Sequence, residues 1–303
     1  MATCIATGGA LRLYGICARV PSEAFGCAQD ESKDASILRV RVMALAAALF
    51  LAQSPSTVRV NFTDTGGAGV PVVLMHAATG SVLSWEHQTP AFVKAGYRVI
   101  AFDRRGWGKS PADPRSPGTA ADDLIALMDS LRIDRFHLVG TAAGGFVTFD
   151  TALSFPSRLR SIVVSNSIGG VSDPEFVAQD RRLRPPEFAA LPAELREVSP
   201  SYRASNPEGT TRWLELEKQS RQPGVAAQPL KNTITFAKLE TISVSAMLLT
   251  GDADLIAPPP VLRMFAKHLR HAETVIVPEA GHSTYWEQPE AFNRAVLNFI
   301  RKH

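Results

Sequence analysis

Residues 135–147, RFHLVGTAAGGFV, constrain the fold of this chain more than any other stretch. The apolar run Phe136 to Val139 meets Gly140, Thr141, Ala142, Ala143, Gly144 and Gly145, after which Phe146, Phe149 and Leu153 recur at helical spacing. A buried strand must therefore turn sharply into a helix. Glycines at 140 and 144 flank Ala142, as a turn requires when it leaves no room for side chains beside its central residue.

The rest of the chain repeats this alternation. Short β-rich runs at Val70 to Met75, Tyr97 to Phe102, Leu159 to Val164, Val244 to Leu249 and Glu273 to Val277 are separated by helical patterns near 84–95, 118–131, 143–155, 260–269 and 289–301. Buried strands alternating with helices predict an α/β fold: a mostly parallel sheet with helices on both faces. Ahead of it, TVRVNFTDTG alternates apolar and polar residues and ends in a Thr-Gly-Gly turn, the pattern of an antiparallel edge hairpin. The alternation breaks between Ile168 and Leu239, where charges, Pro174, Pro185, Pro186, Pro192, Pro200 and Pro207 accompany short amphipathic pieces. That stretch is too long for a plain loop and too apolar for a linker, so a helical cap over 169–239 is expected between core segments 56–168 and 240–303.

Residues 1–55 show no clear period and read as an N-terminal extension. Within it, Met43 to Ala52 (MALAAALFLA) has the length of a signal h-region and falls short of a membrane span. The long segment upstream, which contains Asp30, Glu31 and Asp34, argues against export and for a cytoplasmic protein; export through that h-region and a natural start near Met43 stay open. All three cysteines, Cys4, Cys17 and Cys27, sit in this extension, in spacings that suit neither a disulfide framework nor a zinc site. With a net charge of +3, 45% hydrophobic and 20% charged residues, composition excludes global disorder and gives no basic stripe for nucleic acid. The partner it leaves is a small molecule. GTAAGG lacks the lysine and spacing of a phosphate loop, so no nucleotide or other cofactor is expected, and no metal.

Four further motifs stand in order around the central turn: His76-Ala77-Ala78-Thr79-Gly80, FDRRGWGKS (Phe102 to Ser110), LTGDADLIAPP (Leu249 to Pro259) and PEAGHSTYWEQPEAFN (Pro278 to Asn293). Together with VGTAAGG and the cap, they resemble the α/β-hydrolase fold family over about residues 56–303. The resemblance implies an eight-stranded-type sheet and a catalytic edge where strand ends converge. In the family's order of nucleophile, acid and histidine, the matching positions are Ala142, Asp254 and His282. His282 would be the general base and Asp254 its orienting carboxylate, with Asp252 the rival acid. The oxyanion-hole amides map to Ala78 and Ala143, where the side chain is immaterial to an amide donor. Trp107, Trp213 and Tyr285 are candidates to line the cleft. Asp103, Arg104, Arg105 and Gly106 are expected to shape a loop through turns and ion pairs, and His76 and His137 to be packed rather than catalytic.

The nucleophile elbow of that family, Gly-x-Ser-x-Gly, here carries Ala142 in place of serine. A methyl group cannot attack a carbonyl, so acyl-enzyme chemistry is blocked, and Thr141 precedes the reactive position with its side chain turned away. Three explanations stand: an engineered inactive Ser-to-Ala variant, an enzyme using His282 and Asp254 without serine, or a non-catalytic receptor. Retention of both His282 and Asp254 favours an enzyme. Capped members that act on esters, lactones or vinylogous diketones are those the cap resembles.

Overall fold

The structure is a computed structural model that describes residues 60–303. The N-terminal extension, its cysteines and the Met43–Ala52 run lie outside the described residues. Seven strands, rather than eight, form the sheet among the described residues: β1 (Phe62–Asp64), β2 (Pro71–Met75), β3 (Arg98–Phe102), β4 (Phe136–Thr141), β5 (Leu159–Ser165), β6 (Ala246–Gly251) and β7 (Glu273–Val277). Their order is β1-β3-β2-β4-β5-β6-β7, and every pairing is parallel except β1 with β3.

The expected edge hairpin is absent among these residues. The turn at Gly66 and Gly67, both at positive φ, leads from β1 towards β2, yet β1 pairs with β3 instead. Burial explains the exchange. Four of the five residues of β2 are buried, and it takes parallel neighbours on both sides, whereas half-exposed β1 suits an edge.

Side chains alternate across the sheet and divide its core in two. On one face Val73, Met75, Leu138, Ile162, Val164 and Leu248 meet helices α2 (Ala120–Ser130), α3 (Ala143–Ser154) and α10 (Pro259–His268). On the other, Val72, Leu74, Val139, Val163 and Leu249 meet α1 (Gln88–Lys94) and α12 (Pro289–Ile300) through Phe92, Phe292, Val296 and Phe299. Each such buried aliphatic or phenyl group contributes roughly 1.5–3 kcal/mol. Phe149 of α3 stacks on Phe265 of α10 with ring centroids 6.0 Å apart, which locks the helix behind the central turn to its neighbour.

Between β5 and β6 the chain leaves the sheet and forms six short helices: α4 (Pro174–Leu183), α5 (Pro186–Ala189), α6 (Ala193–Glu197), α7 (Pro200–Ser205), α8 (Pro207–Lys218) and α9 (Phe236–Leu239). Four of them begin on a proline, which lacks the amide that a first helical turn leaves unpaired and disfavours helix in the residue before it. The prolines noted in the sequence thus cut this insertion into pieces. A short α11 (Thr284–Glu287) precedes α12. No described helix is long and apolar enough to cross a membrane.

Candidate active site

Loops from the carboxyl ends of β2 to β7 converge on one edge of the sheet. At its centre, β4 passes into α3 through Ala142, whose backbone sits at φ 50°, ψ −115°. A non-glycine residue there stores strain of order 1–3 kcal/mol, which the surroundings must hold. They do so tightly. A Cβ on Gly140 would collide with the Thr148 hydroxyl and the Gly144 carbonyl, and one on Gly144 with the Met75 carbonyl. The Ala142 amide donates to the Ser165 carbonyl at 2.9 Å, and its own carbonyl accepts from Gly145 N and Ser167 Oγ at 3.0 and 2.6 Å.

Ala142 has no oxygen with which to cap α3. The Ala143 amide, the first of the helix, is free of protein acceptors among the described residues and stands in the positive end of the helix dipole. Ala78 lies across from it, and both residues line one cavity of about 170 Å³ with Arg104, Trp107, Phe146 and Arg221. The Ala78 loop is held from beneath. The buried His76 ring donates through Nδ1 to the Ala77 carbonyl at 2.7 Å, while its Nε2 accepts from Arg104 N at 3.1 Å. Burial, with Arg104 beside it, pushes His76 well below the ordinary histidine value, so it is a neutral, packed residue. Trp107 Nε1 donates to the Ala78 carbonyl at 2.7 Å, which turns that peptide's oxygen away from the role of acceptor for solvent.

After β6, Asp254 meets His282 from the loop after β7. Nδ1 of His282 lies 3.0 Å from both carboxylate oxygens, and neither side chain is more than slightly exposed. Asp252, two residues earlier, is exposed and outside this pair. The Asp254 carboxylate also accepts from Ile256 N (2.8 Å), Ala257 N (2.9 Å), Thr250 Oγ1 (3.1 Å) and Asn166 Nδ2 (3.0 Å). Burial alone would raise its pKa; the facing imidazole and these donors outweigh it and bring it down to about 2. For His282 burial acts downward, but the Asp254 charge and hydrogen bond, with Glu197 adding to them, lift it above the ordinary 6.5. With Nδ1 committed to Asp254, Nε2 is the nitrogen left to take a proton, and it has no protein hydrogen-bond partner among the described residues.

Three further buried residues hold this arrangement, and of them only Glu287 lies within one of the motifs. Asn166, at φ 49° just beyond β5, donates to Asp254, to the Gly281 carbonyl (3.0 Å) and to Thr284 Oγ1 (2.9 Å), and its Oδ1 accepts from Ser165 Oγ at 2.5 Å. One amide thereby ties the strand beside Ala142 to both acid–base loops. Glu287 accepts from Gly281 N (2.9 Å) and from Ser199 N in the insertion (2.8 Å). Glu197, at the end of α6, accepts from Thr79 Oγ1 at 2.8 Å, and its carbonyl accepts from Ser283 N at 2.9 Å. Burial pushes both acids upward in pKa. The only trace of Asn166 in the sequence is a polar residue at the end of an apolar strand, a pattern too common to single it out.

Not every expected pocket residue reaches the cavity. Trp107 does, but Trp213 and Tyr285 do not line it: both are buried, Trp213 donating to Ser283 Oγ at 3.1 Å and Tyr285 packing on Trp85 at 5.1 Å. Large aromatics satisfied by one polar contact belong in a core, and these brace the His282 loop from within. Asp103 shapes its loop as expected, accepting from Val82 N and Lys109 N, and Arg105 pairs with Asp123. Arg104 departs from the expectation, since no carboxylate pairs with it among the described residues. The Thr141 hydroxyl is buried without a partner, and neither it nor Ser167 is hydrogen-bonded to His282. Among the described residues no group of three or more His, Cys, Asp or Glu side chains could hold a metal ion.

This constellation, a strained strand-to-helix elbow and a buried His–Asp pair in loops at the carboxyl edge of a mostly parallel sheet, defines an α/β-hydrolase fold. The chain belongs to the alpha/beta hydrolase family, whose model matches residues 72–295. It is 27% identical over 277 residues to a 2-hydroxy-6-oxononadienedioate/2-hydroxy-6-oxononatrienedioate hydrolase of Burkholderia vietnamiensis, covering 80% of this chain and 91% of that one. It is equally 27% identical over 255 residues to 3-oxoadipate enol-lactonase 2 of Acinetobacter baylyi, covering 81% and 94%. Among solved structures, a thermophilic esterase of Thermogutta terrifontis aligns with a TM-score of 0.68 at 29% identity, over 80% of this chain and 93% of the esterase.

Proposed function

We propose that this member of the family acts on a small organic molecule of the ester, lactone or vinylogous diketone class, with His282 as base and Asp254 as its orienting carboxylate. The named activities of the relatives, a lactonase and a hydrolase of an oxo-dienedioate, support that substrate range. The observation that carries the reading is the His282–Asp254 pair itself, fully hydrogen-bonded and with Nε2 unspent. In this reading His282 removes a proton from substrate or water, while the Ala78 and Ala143 amides receive a developing oxyanion. Hydrolysis through a covalent acyl-enzyme is blocked at Ala142, and what remains is proton transfer and transition-state binding.

Restoring the hydroxyl tests the arrangement. Ala142→Ser should raise turnover of short-chain aryl esters by about a thousandfold or more. A folded serine variant with no gain would show that the base and the amides are out of hydrolytic register. A second reading, a small-molecule receptor, draws support from the methyl group at Ala142. It predicts that His282→Ala leaves binding unchanged and that no turnover is there to lose.

A further inference from the structure

Arg104 and Arg221 enter the 170 Å³ cavity from opposite parts of the chain and carry the only positive charges on its wall among the described residues. The backbone puts them there. Residues 220–222, at the end of the insertion, lie antiparallel along the FDRRGWGKS loop, with Gly108 N donating to the Ser220 carbonyl at 2.7 Å and Gln222 N to the Gly106 carbonyl at 2.9 Å. This brings the Arg221 guanidinium to 5.2 Å from the Trp107 ring centroid, and Arg104 sits at 4.4 Å from the same ring. Two cations share one indole.

Neither pairs with a carboxylate among the described residues. Arg104, 6% exposed, spends Nη2 on the Ala77 carbonyl at 3.1 Å and leaves Nε without a partner; Arg221 makes one bond, to the Val225 carbonyl at 2.8 Å. The contrast with the adjacent Arg105, paired with Asp123 at 2.5 Å, is sharp. A buried guanidinium without a carboxylate is costly unless something supplies the missing charge. Burial, and then the repulsion of Arg221, lower Arg104 to about 9, so it stays charged at neutral pH while lacking the pairing that would hold it there.

We propose that Arg104 and Arg221 form a carboxylate subsite, so that the substrate is an anion bearing its carboxylate at these guanidinium groups and its reacting carbonyl at the Ala78 and Ala143 amides. Planar guanidinium groups suit the two oxygens of a carboxylate, and the amides that would polarise the carbonyl line the same cavity. Residues 227–229 line this cavity and also a larger hollow of about 330 Å³ between residues 112–117 and 224–229. This inference rests on the reading that the substrate reacts beside Ala78 and Ala143.

Calorimetric titration of the full chain with monomethyl glutarate and with its neutral counterpart, dimethyl glutarate, decides it without requiring turnover. The anion should bind at least tenfold more tightly at low ionic strength, and Arg221→Gln should reduce that preference at least threefold while Arg221→Lys retains part of it. Because Arg221 is exposed, these variants test the subsite without disturbing the core; Arg104→Gln is the more severe companion. Equal affinity for the two esters, no binding of either, or a preference untouched by Arg221→Gln would overturn the proposal. In the Ala142→Ser background the same preference should appear in kcat/KM. If that variant hydrolyses neither ester, the catalytic reading fails while the titration still decides the subsite.

Discussion

The elbow and the acid–base loops of the candidate site differ in what each has kept in place. At the elbow the frame is complete, with Gly140 and Gly144 packed against backbone and Ala142 held at positive φ, yet the side chain there is inert. On the acid–base side, frame and side chains are both complete: Asp254 is satisfied by His282 and four further donors, and Asn166 and Glu287 bind the supporting loops. The difference teaches that geometry and reactivity are separable. The strained turn is maintained by its neighbours whatever its central side chain does, whereas the buried ion pair exists only through its side chains.

The sharpest way to break this contrast joins the two halves. In the Ala142→Ser background, His282→Ala should return aryl-ester turnover to the level of the alanine chain, a loss of about a thousandfold or more in kcat. A serine variant indifferent to His282 would mean that the halves do not communicate. Next in size is the frame itself. Gly144→Ala drives a methyl into the Met75 carbonyl, where backbone has to move, and should cost about 3 kcal/mol by urea unfolding, while Ala142→Ser stays within about 1 kcal/mol.

A third test reads the charge on Asp254. Its folded-state pKa of about 2 lies below the ordinary 3.8, so the stability it contributes is present above pH 3.8 and lost as pH falls through about 2. His282 is raised above 6.5, so its contribution is full below that value and lost as pH rises through the folded one. The pair therefore stabilises most between roughly pH 4 and 6.5. Asp254→Asn should remove about 2 kcal/mol in that window and flatten the acid limb of a urea-midpoint profile. It should also move the rise of activity with pH, in the serine background, to lower pH. The smallest effect belongs to the supporting amide. Asn166→Ala removes an amide whose two N–H groups serve Asp254, Gly281 and Thr284, and should cost about 1.5 kcal/mol while sparing the fold, seen as a lower melting temperature and a weaker dependence on His282.

Much of this is legible in the sequence. The strands appear within about two residues of their expected ends, because solid apolar runs between turns have few other uses in a chain of this length. His282 and Asp254 stood in recognisable loops, although choosing Asp254 over Asp252 needed the family's spacing as well as the residues. The edge hairpin was misread because alternation reveals a half-exposed strand and says nothing of which neighbour it pairs with. Trp213 and Tyr285 are ambiguous for a related reason: a large aromatic residue looks the same in the sequence whether it faces a cavity or braces a loop.

By itself the sequence determined the alternating architecture, the elbow at Gly140–Gly144, the methyl group at Ala142 and the candidate pair Asp254 and His282. Those are local facts, written in side-chain periodicity, small residues and motif spacing. Only the tertiary structure decided that Asn166 fastens Asp254 to the His282 loop, that Glu197 and Glu287 pin the insertion, and that Arg104 and Arg221 both lie over the Trp107 ring with no carboxylate paired to either among the described residues. Arg104 and Arg221 are 117 positions apart in the chain. Their charge was visible from the beginning, but whether a cation is paired, buried or left open to a ligand depends on what packs against it, and that is a property of the folded arrangement alone.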